Sequence, residues 1–196
     1  MTDPLIKICG LTRIDDARLA AERGADILGL VFSKRSRRRV SIDTARQVTS
    51  IGKGVAGVYT SMDEIGDEVR YLDYIQLHFR HSITDIQKVK EMSGLKTISV
   101  VASLDPDIPG SISSYRNAGT DYVLLELVSG FRNYHVLASG IAERFEIGLS
   151  GRISVDDLPA VKKLKPTIID ASSSIEIEPG IKDHEKLARY LKEAKN

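Results

Sequence analysis

The residues best suited to chemistry stand at the ends of short apolar runs. One run reads Leu5-Ile6-Lys7-Ile8-Cys9-Gly10. Side chains alternate along an extended strand, so Lys7 and Cys9 share one face and Ile6 and Ile8 the other. The isoleucines belong against helices, which turns Lys7 and Cys9 inward. A buried ammonium is costly unless it is paired or put to use. Beside a thiol it favours the thiolate, the basic and nucleophilic form. The competing assignment is that Cys9 fills apolar space, as free cysteines usually do. By the same alternation Tyr74, Gln76 and His78 share a face, either as hydrogen-bonded polar groups at a strand end or as contacts to a polar ligand. Glu126 closes the run Tyr122–Leu125 in phase with Leu124, as a solvated carboxylate at a loop start or as an acid catalyst.

Anion-binding groups lie on other loops. Five of the six residues from Lys34 to Arg39 are basic. They form a solvated loop, a clamp for a small anion through a planar guanidinium, or a patch for a phosphate backbone. Ser150-Gly151-Arg152 and Asp170-Ala171-Ser172-Ser173-Ser174 are rich in small residues. Backbone N–H groups in such loops can cradle a phosphate.

These residues need a frame to bring them together. Apolar runs begin at Leu5, Asp26, Gly54, Asp73, Lys96, Asp121, Phe145 and Pro166, at spacings of 21, 28, 19, 23, 25, 24 and 21 residues. The runs extend to Cys9, Phe32, Tyr59, Leu77, Val101, Leu125, Leu149 and Asp170. Helical periodicity fills the gaps: Ile14, Ala17 and Ala20 precede a stop at Gly24, and Val155, Leu158, Val161 and Leu164 follow a cap at Ser154 with Asp157 three residues on. A last helix is expected through Lys186, Leu187, Tyr190 and Leu191. Ser103–Ser114 reads as a loop or weak helix. Strand–helix alternation means parallel strands joined by crossovers. Eight units predict a small (β/α)8 barrel as one domain over residues 1–196, with an open doubly wound sheet as the structural rival. In such a barrel the strands' C-terminal ends carry the active site, where the polar residues above would meet.

Composition narrows the function classes. The 196 residues are 42% hydrophobic and 28% charged, with a formal net charge of +1, which argues against a nucleic-acid or membrane partner. No apolar run approaches the ~20 residues of a membrane span. MTDPLIKICG lacks the basic and apolar regions of a signal peptide, so a cytoplasmic protein is expected. One cysteine permits no internal disulfide.

Taken together, the motifs resemble those of the phosphoribosylanthranilate isomerase family of tryptophan biosynthesis. The similarity lies in Lys7-Ile-Cys-Gly-Leu-Thr-Arg13, Gly24-Ala-Asp26 with Leu28-Gly-Leu-Val-Phe32, Ser36-x-Arg38-x-Val-Ser41, Ile75-Gln-Leu-His78, and Asp170-x-Ser-Ser173 with Glu176, Pro179-Gly180 and Lys182-Asp183. It spans about Lys7 to Asp183. The resemblance implies an acid–base Amadori rearrangement of a phosphosugar without metal or cofactor. It makes Cys9 the base and Glu126 the acid, where the family has aspartate. Arg38 would hold the anthranilate carboxylate. Lys7, Gln76, His78, Arg132 and Asp170 would complete the substrate site. Gly130, Ser150, Gly151, Ser172, Ser173 and Ser174 would bind the phosphate.

Four departures bear on this expectation. Glutamate at 126 moves the carboxyl by about 1 Å, a displacement that can cost ~10²-fold in rate. The glycine-rich loop after the sixth strand is reduced to Ser129-Gly130 within Val128–Asn133, with Arg132 as a substitute anion contact. Arg152 and Ser174 stand where glycine is usual. If position 174 required positive φ, serine would strain the turn. Such clustering leaves a non-catalytic relative that binds a phosphorylated ligand as the alternative. Another phosphosugar isomerase on the same barrel is a further one. The oligomeric state, a homo-oligomer included, is left open.

Overall fold

Strand–helix repetition closes on itself. In the computed structural model, which describes residues 3–196, eight parallel strands pair in chain order. They are β1 (Leu5–Ile8), β2 (Ile27–Val31), β3 (Gly54–Tyr59), β4 (Tyr74–Leu77), β5 (Lys96–Ala102), β6 (Tyr122–Glu126), β7 (Gly148–Ser150) and β8 (Ile168–Ala171). β8 pairs back onto β1, in a register that sets Lys7 opposite Asp170. That closure removes the open-sheet rival. Met1 and Thr2, within the expected 1–196 domain and the leader reading, lie outside the described residues. Among the described residues no helix is long and apolar enough to cross a membrane.

The outer layer is α1 (Ile14–Glu22), α2 (Ile42–Thr49), α3 (Ile83–Ser93), α4 (Ile108–Asn117), α5 (Phe131–Ala142), α6 (Leu158–Lys163) and α7 (His184–Lys195). The third crossover has only two short 3-10 turns, Met62–Glu64 and Asp67–Tyr71, as suits the shortest spacing of strand starts. Gly24 takes φ +99° just past α1, a conformation open to glycine. Ahead of α6 the carboxylate of Asp157 accepts from both the N–H and the hydroxyl of Ser154. Of the two readings of Ser103–Ser114, the helix holds from Ile108, where α4 begins, because Asp107 accepts from Gly110 N–H and Pro109 falls in the first turn, where no intrahelical donor is lost. One expectation needs correction. β7 begins at Gly148, not Phe145, because α5 is followed by a turn through Phe145.

Strand alternation separates two cores. Ile6, Ile8, Leu28, Leu30, Ile75 and Leu77 face the helices in the main cluster. Ile27, Ala56, Ile98, Val100, Leu124 and Ile168 fill the barrel interior. Cys9, Val31 and Val58 form a small apolar group of their own. After β8 the chain makes a hairpin of β9 (Glu176–Glu178) and β10 (Ile181–Lys182), paired antiparallel, before α7.

Candidate active site

Inward positions near the strands' C-terminal ends open into a cavity of about 380 Å³, inside the ~300–1,000 Å³ range of small-molecule sites. Cys9 and Glu126 both line it. Lys7, one alternation below Cys9, is fully buried, and its Nζ donates to Asp170 Oδ2 at 2.9 Å. Burial opposes the charge of Lys7, but Asp170 and Cys9 outweigh it and hold the pKa above its ordinary value. Burial pushes the Cys9 thiol up, against the pull of Lys7 downward. The thiol form therefore prevails at rest. Asp170 Oδ1 is buried without a partner on a residue of the cavity wall.

On the β4 side, Gln76 Nε2 lies 3.4 Å from His78 Nδ1, and His78 Nε2 lies 3.2 Å from Glu126 Oε2. If the amide donates to Nδ1, the ring carries its proton on Nε2 and donates to the carboxylate. That hydrogen bond, with burial working against it, holds the Glu126 carboxyl below its ordinary value. Gln76 Oε1 is a buried acceptor without a partner.

A second ionic cluster comes from the C-terminal hairpin. Arg38 Nε donates to Glu176 Oε1 at 2.9 Å and Nη2 to Oε2 at 2.5 Å. The guanidinium is thus oriented while Nη1 makes no bond among the described residues. Lys182, buried, donates to Glu176 at 2.9 Å and to the Cys9 carbonyl at 2.6 Å. Gly10 makes this packing possible: at φ +73°, a Cβ there would lie 2.5 Å from Arg38 Cδ. Arg38 and the Cys9 backbone are therefore fixed by side chains of one hairpin.

The structure brings Cys9, Arg38, Gln76, His78 and Glu126 onto one wall, together with Ser150, Gly151, Asp170, Ser172 and Ser173. Four expected residues lie elsewhere. Lys7 sits beneath the wall, sequestered by Asp170. Gly130 N–H is committed to Leu127 O at 2.8 Å. Arg132 donates to Asp157 at 2.9 Å, with its side chain 73% exposed. Ser174 Oγ is buried without a partner inside the 3-10 turn Ser173–Ile175, and its φ is not positive. Ser33, Ser36 and Thr60 join the wall unforeseen, because loop hydroxyls carry no periodic signal. The roles of Glu176 and Lys182 were also missed. Their place in the C-terminal motif was the available signal, but the partners are distant in sequence.

The family model described as N-(5'phosphoribosyl)anthranilate (PRA) isomerase matches residues 6–193. The chain belongs to the phosphoribosylanthranilate isomerase family. An N-(5'-phosphoribosyl)anthranilate isomerase of Thermoplasma volcanium is 37% identical over 193 residues, covering 97% of this chain and 96% of that protein. The one from Rubrobacter xylanophilus is 32% identical, at 97% and 98% coverage. Among solved structures, monomers generated from the dimeric phosphoribosylanthranilate isomerase of Thermotoga maritima superpose with TM-score 0.84 at 29% identity, over 98% of both chains. A phosphoribosylanthranilate isomerase in complex with reduced 1-(o-carboxyphenylamino)-1-deoxyribulose 5-phosphate gives 0.81 at 28% identity, again over 98% of both. Family membership and barrel closure thus agree from sequence and shape.

Proposed function

We propose that this chain is a phosphoribosylanthranilate isomerase in which Cys9 is the base and Glu126 the acid. Its reaction converts N-(5′-phosphoribosyl)anthranilate into 1-(2-carboxyphenylamino)-1-deoxyribulose 5-phosphate in tryptophan biosynthesis, and a cytoplasmic location accords with that. The observation that carries the assignment is the sharing of one cavity by the β1 thiol and the β6 carboxyl.

Each of the first two steps asks for one proton transfer. Glu126 donates to the ribose ring oxygen as the C1′–O bond breaks, and the anilino nitrogen lone pair forms the C1′=N bond. The Cys9 thiolate then takes the C2′ proton. The freed electron pair forms C1′=C2′, and the iminium pair returns to nitrogen. The enolamine loses its hydroxyl proton and gains one at C1′, leaving the C2′ ketone. General acid and base groups each contribute roughly 10²–10⁴-fold to such steps. Arg38, held by Glu176, receives the anthranilate carboxylate. Ser150, Gly151, Ser172 and Ser173 receive the phosphate, and the unpaired acceptors of Asp170 and Gln76 suit sugar hydroxyls.

Purified Cys9→Ala and Glu126→Gln are expected to lose about 10²-fold or more of turnover while keeping the wild-type circular dichroism and thermal midpoint. The assay is the fluorescence change on consumption of phosphoribosylanthranilate. Wild-type turnover in either variant would remove the mechanism. Tight binding by the wild type with no turnover would make it a ligand-binding relative instead.

A further inference from the structure

We propose that Arg152 binds the substrate phosphate through its guanidinium; the inference rests on the isomerase reading above. The cations and their partners around the cavity point there. Arg38 is engaged by Glu176, and Lys7 beneath the wall by Asp170. Arg152 also lines the cavity, is exposed, and has no hydrogen bond or ion pair among the described residues. Acidic neighbours in the adjoining hollow are already taken, Asp157 by Arg132 at 2.9 Å and Asp156 by Arg189 at 3.4 Å. A substrate with anions at both ends is complemented by a cation at each. Arg38 serves one end from the loop after β2, and Arg152 follows Ser150-Gly151 after β7, where the phosphate is placed.

The backbone shows what holding a side chain there requires. Arg152 has φ +49°, one of two non-glycine residues at positive φ among the described residues. The other, Lys165, lies just past the C-cap of α6, where left-handed residues are usual. Arg152 has no helix end to account for it. The loop after β6 supports the strained turn: Leu127 N–H donates to Ser150 O at 2.9 Å, and a Cβ added at Gly130 would come within 3.5 Å of Arg152 Cβ. Non-glycine residues in this conformation persist where the surroundings impose it, often at ligand clamps. A guanidinium offers several donors to phosphate oxygens in a fixed fork.

Three variants separate charge from backbone. Arg152→Gly and Arg152→Ala should each raise KM for phosphoribosylanthranilate by about 10- to 100-fold, the equivalent of one charge-assisted hydrogen bond. Arg152→Lys should recover part of the loss. Arg152→Gly alone should also raise the thermal midpoint, since glycine relieves the strain. Binding is read separately with inorganic phosphate by calorimetry, where wild type should bind and both truncations should bind at least tenfold more weakly. Phosphate binding that depends on Arg152 in a wild type without turnover would sink the isomerase reading and keep this one. Unchanged KM and phosphate affinity in both truncations would overturn the assignment, as would a wild type that binds no phosphate.

Discussion

At the scale of single residues, Cys9 and Glu126 rest with the proton on the other group from the one the reaction needs. Burial keeps the thiol protonated, and the hydrogen bond from His78 keeps the carboxyl ionised. The active pair is thiolate plus carboxylic acid, a minor microstate of two groups that titrate independently. Its fraction is the product of the two. Below the Glu126 pKa that product rises with pH as thiolate forms. Between the two pKa values the gain in thiolate cancels the loss of acid, and above the Cys9 pKa it falls. Thus kcat/KM for the free enzyme is expected to be flat from above the carboxylate range up to the ordinary thiol value of 9.0. Steady-state rates across about pH 5–8.5 check this, and a sharp maximum near neutrality would refute it. Strand alternation was enough to turn Lys7, Cys9, Gln76, His78 and Glu126 inward. It could not show that Arg38 is gripped by Glu176, since that pair is 138 residues apart and joined only by the fold. Nor did a basic run in sequence reveal which of its arginines reaches the cavity.

Among elements, β1 and β2 show how closely backbone spacing governs the thiol. Gly29 lies on β2 beside Cys9, and a Cβ there would stand 2.9 Å from both Cys9 Cα and Sγ. Contacts that close cannot persist, so Gly29→Ala must push the β1 end away. A shift approaching 1 Å would cost ~10²-fold in rate, and overpacking would cost about 1–3 kcal/mol in stability. Urea denaturation with turnover on the same preparation measures both, and an alanine variant equal to wild type in each would show that β1 can give way freely. Apolar runs located all eight strands, most closely β3 (Gly54–Tyr59), whose bounds agree at both ends. They misplaced the start of β7, where Phe145 and Ile147 mimic the strand pattern although the turn after α5 holds Phe145. They also implied a helix in the third crossover, where 3-10 turns suffice.

For the whole molecule, acid should be the more damaging departure from neutral pH among its carboxylates. Hydrogen bonds from Ser82 lower the Asp85 pKa. At Glu176 burial acts upward but is outweighed by Arg38 and Lys182. Groups lowered in the folded state stabilise it above their unfolded values, 3.8 and 4.5 here. That stabilisation is lost as pH falls through the folded values, because the unfolded chain binds more protons. The urea midpoint should therefore be lower at pH 3 than at pH 6, and an equal or higher midpoint at pH 3 would contradict the assignment. Barrel closure was foreseeable from eight repeats, whereas the hairpin that follows β8 had no periodicity to announce it. Its reach across the chain has a consequence for biosynthesis. Asp170 is 163 residues from Lys7, and Lys182 is 173 from the Cys9 carbonyl it anchors. A ribosome therefore makes the nucleophilic sulfur long before it adds either ionic support. Until then the nascent chain carries an unguarded cysteine, open to alkylating reagents that the finished barrel shields.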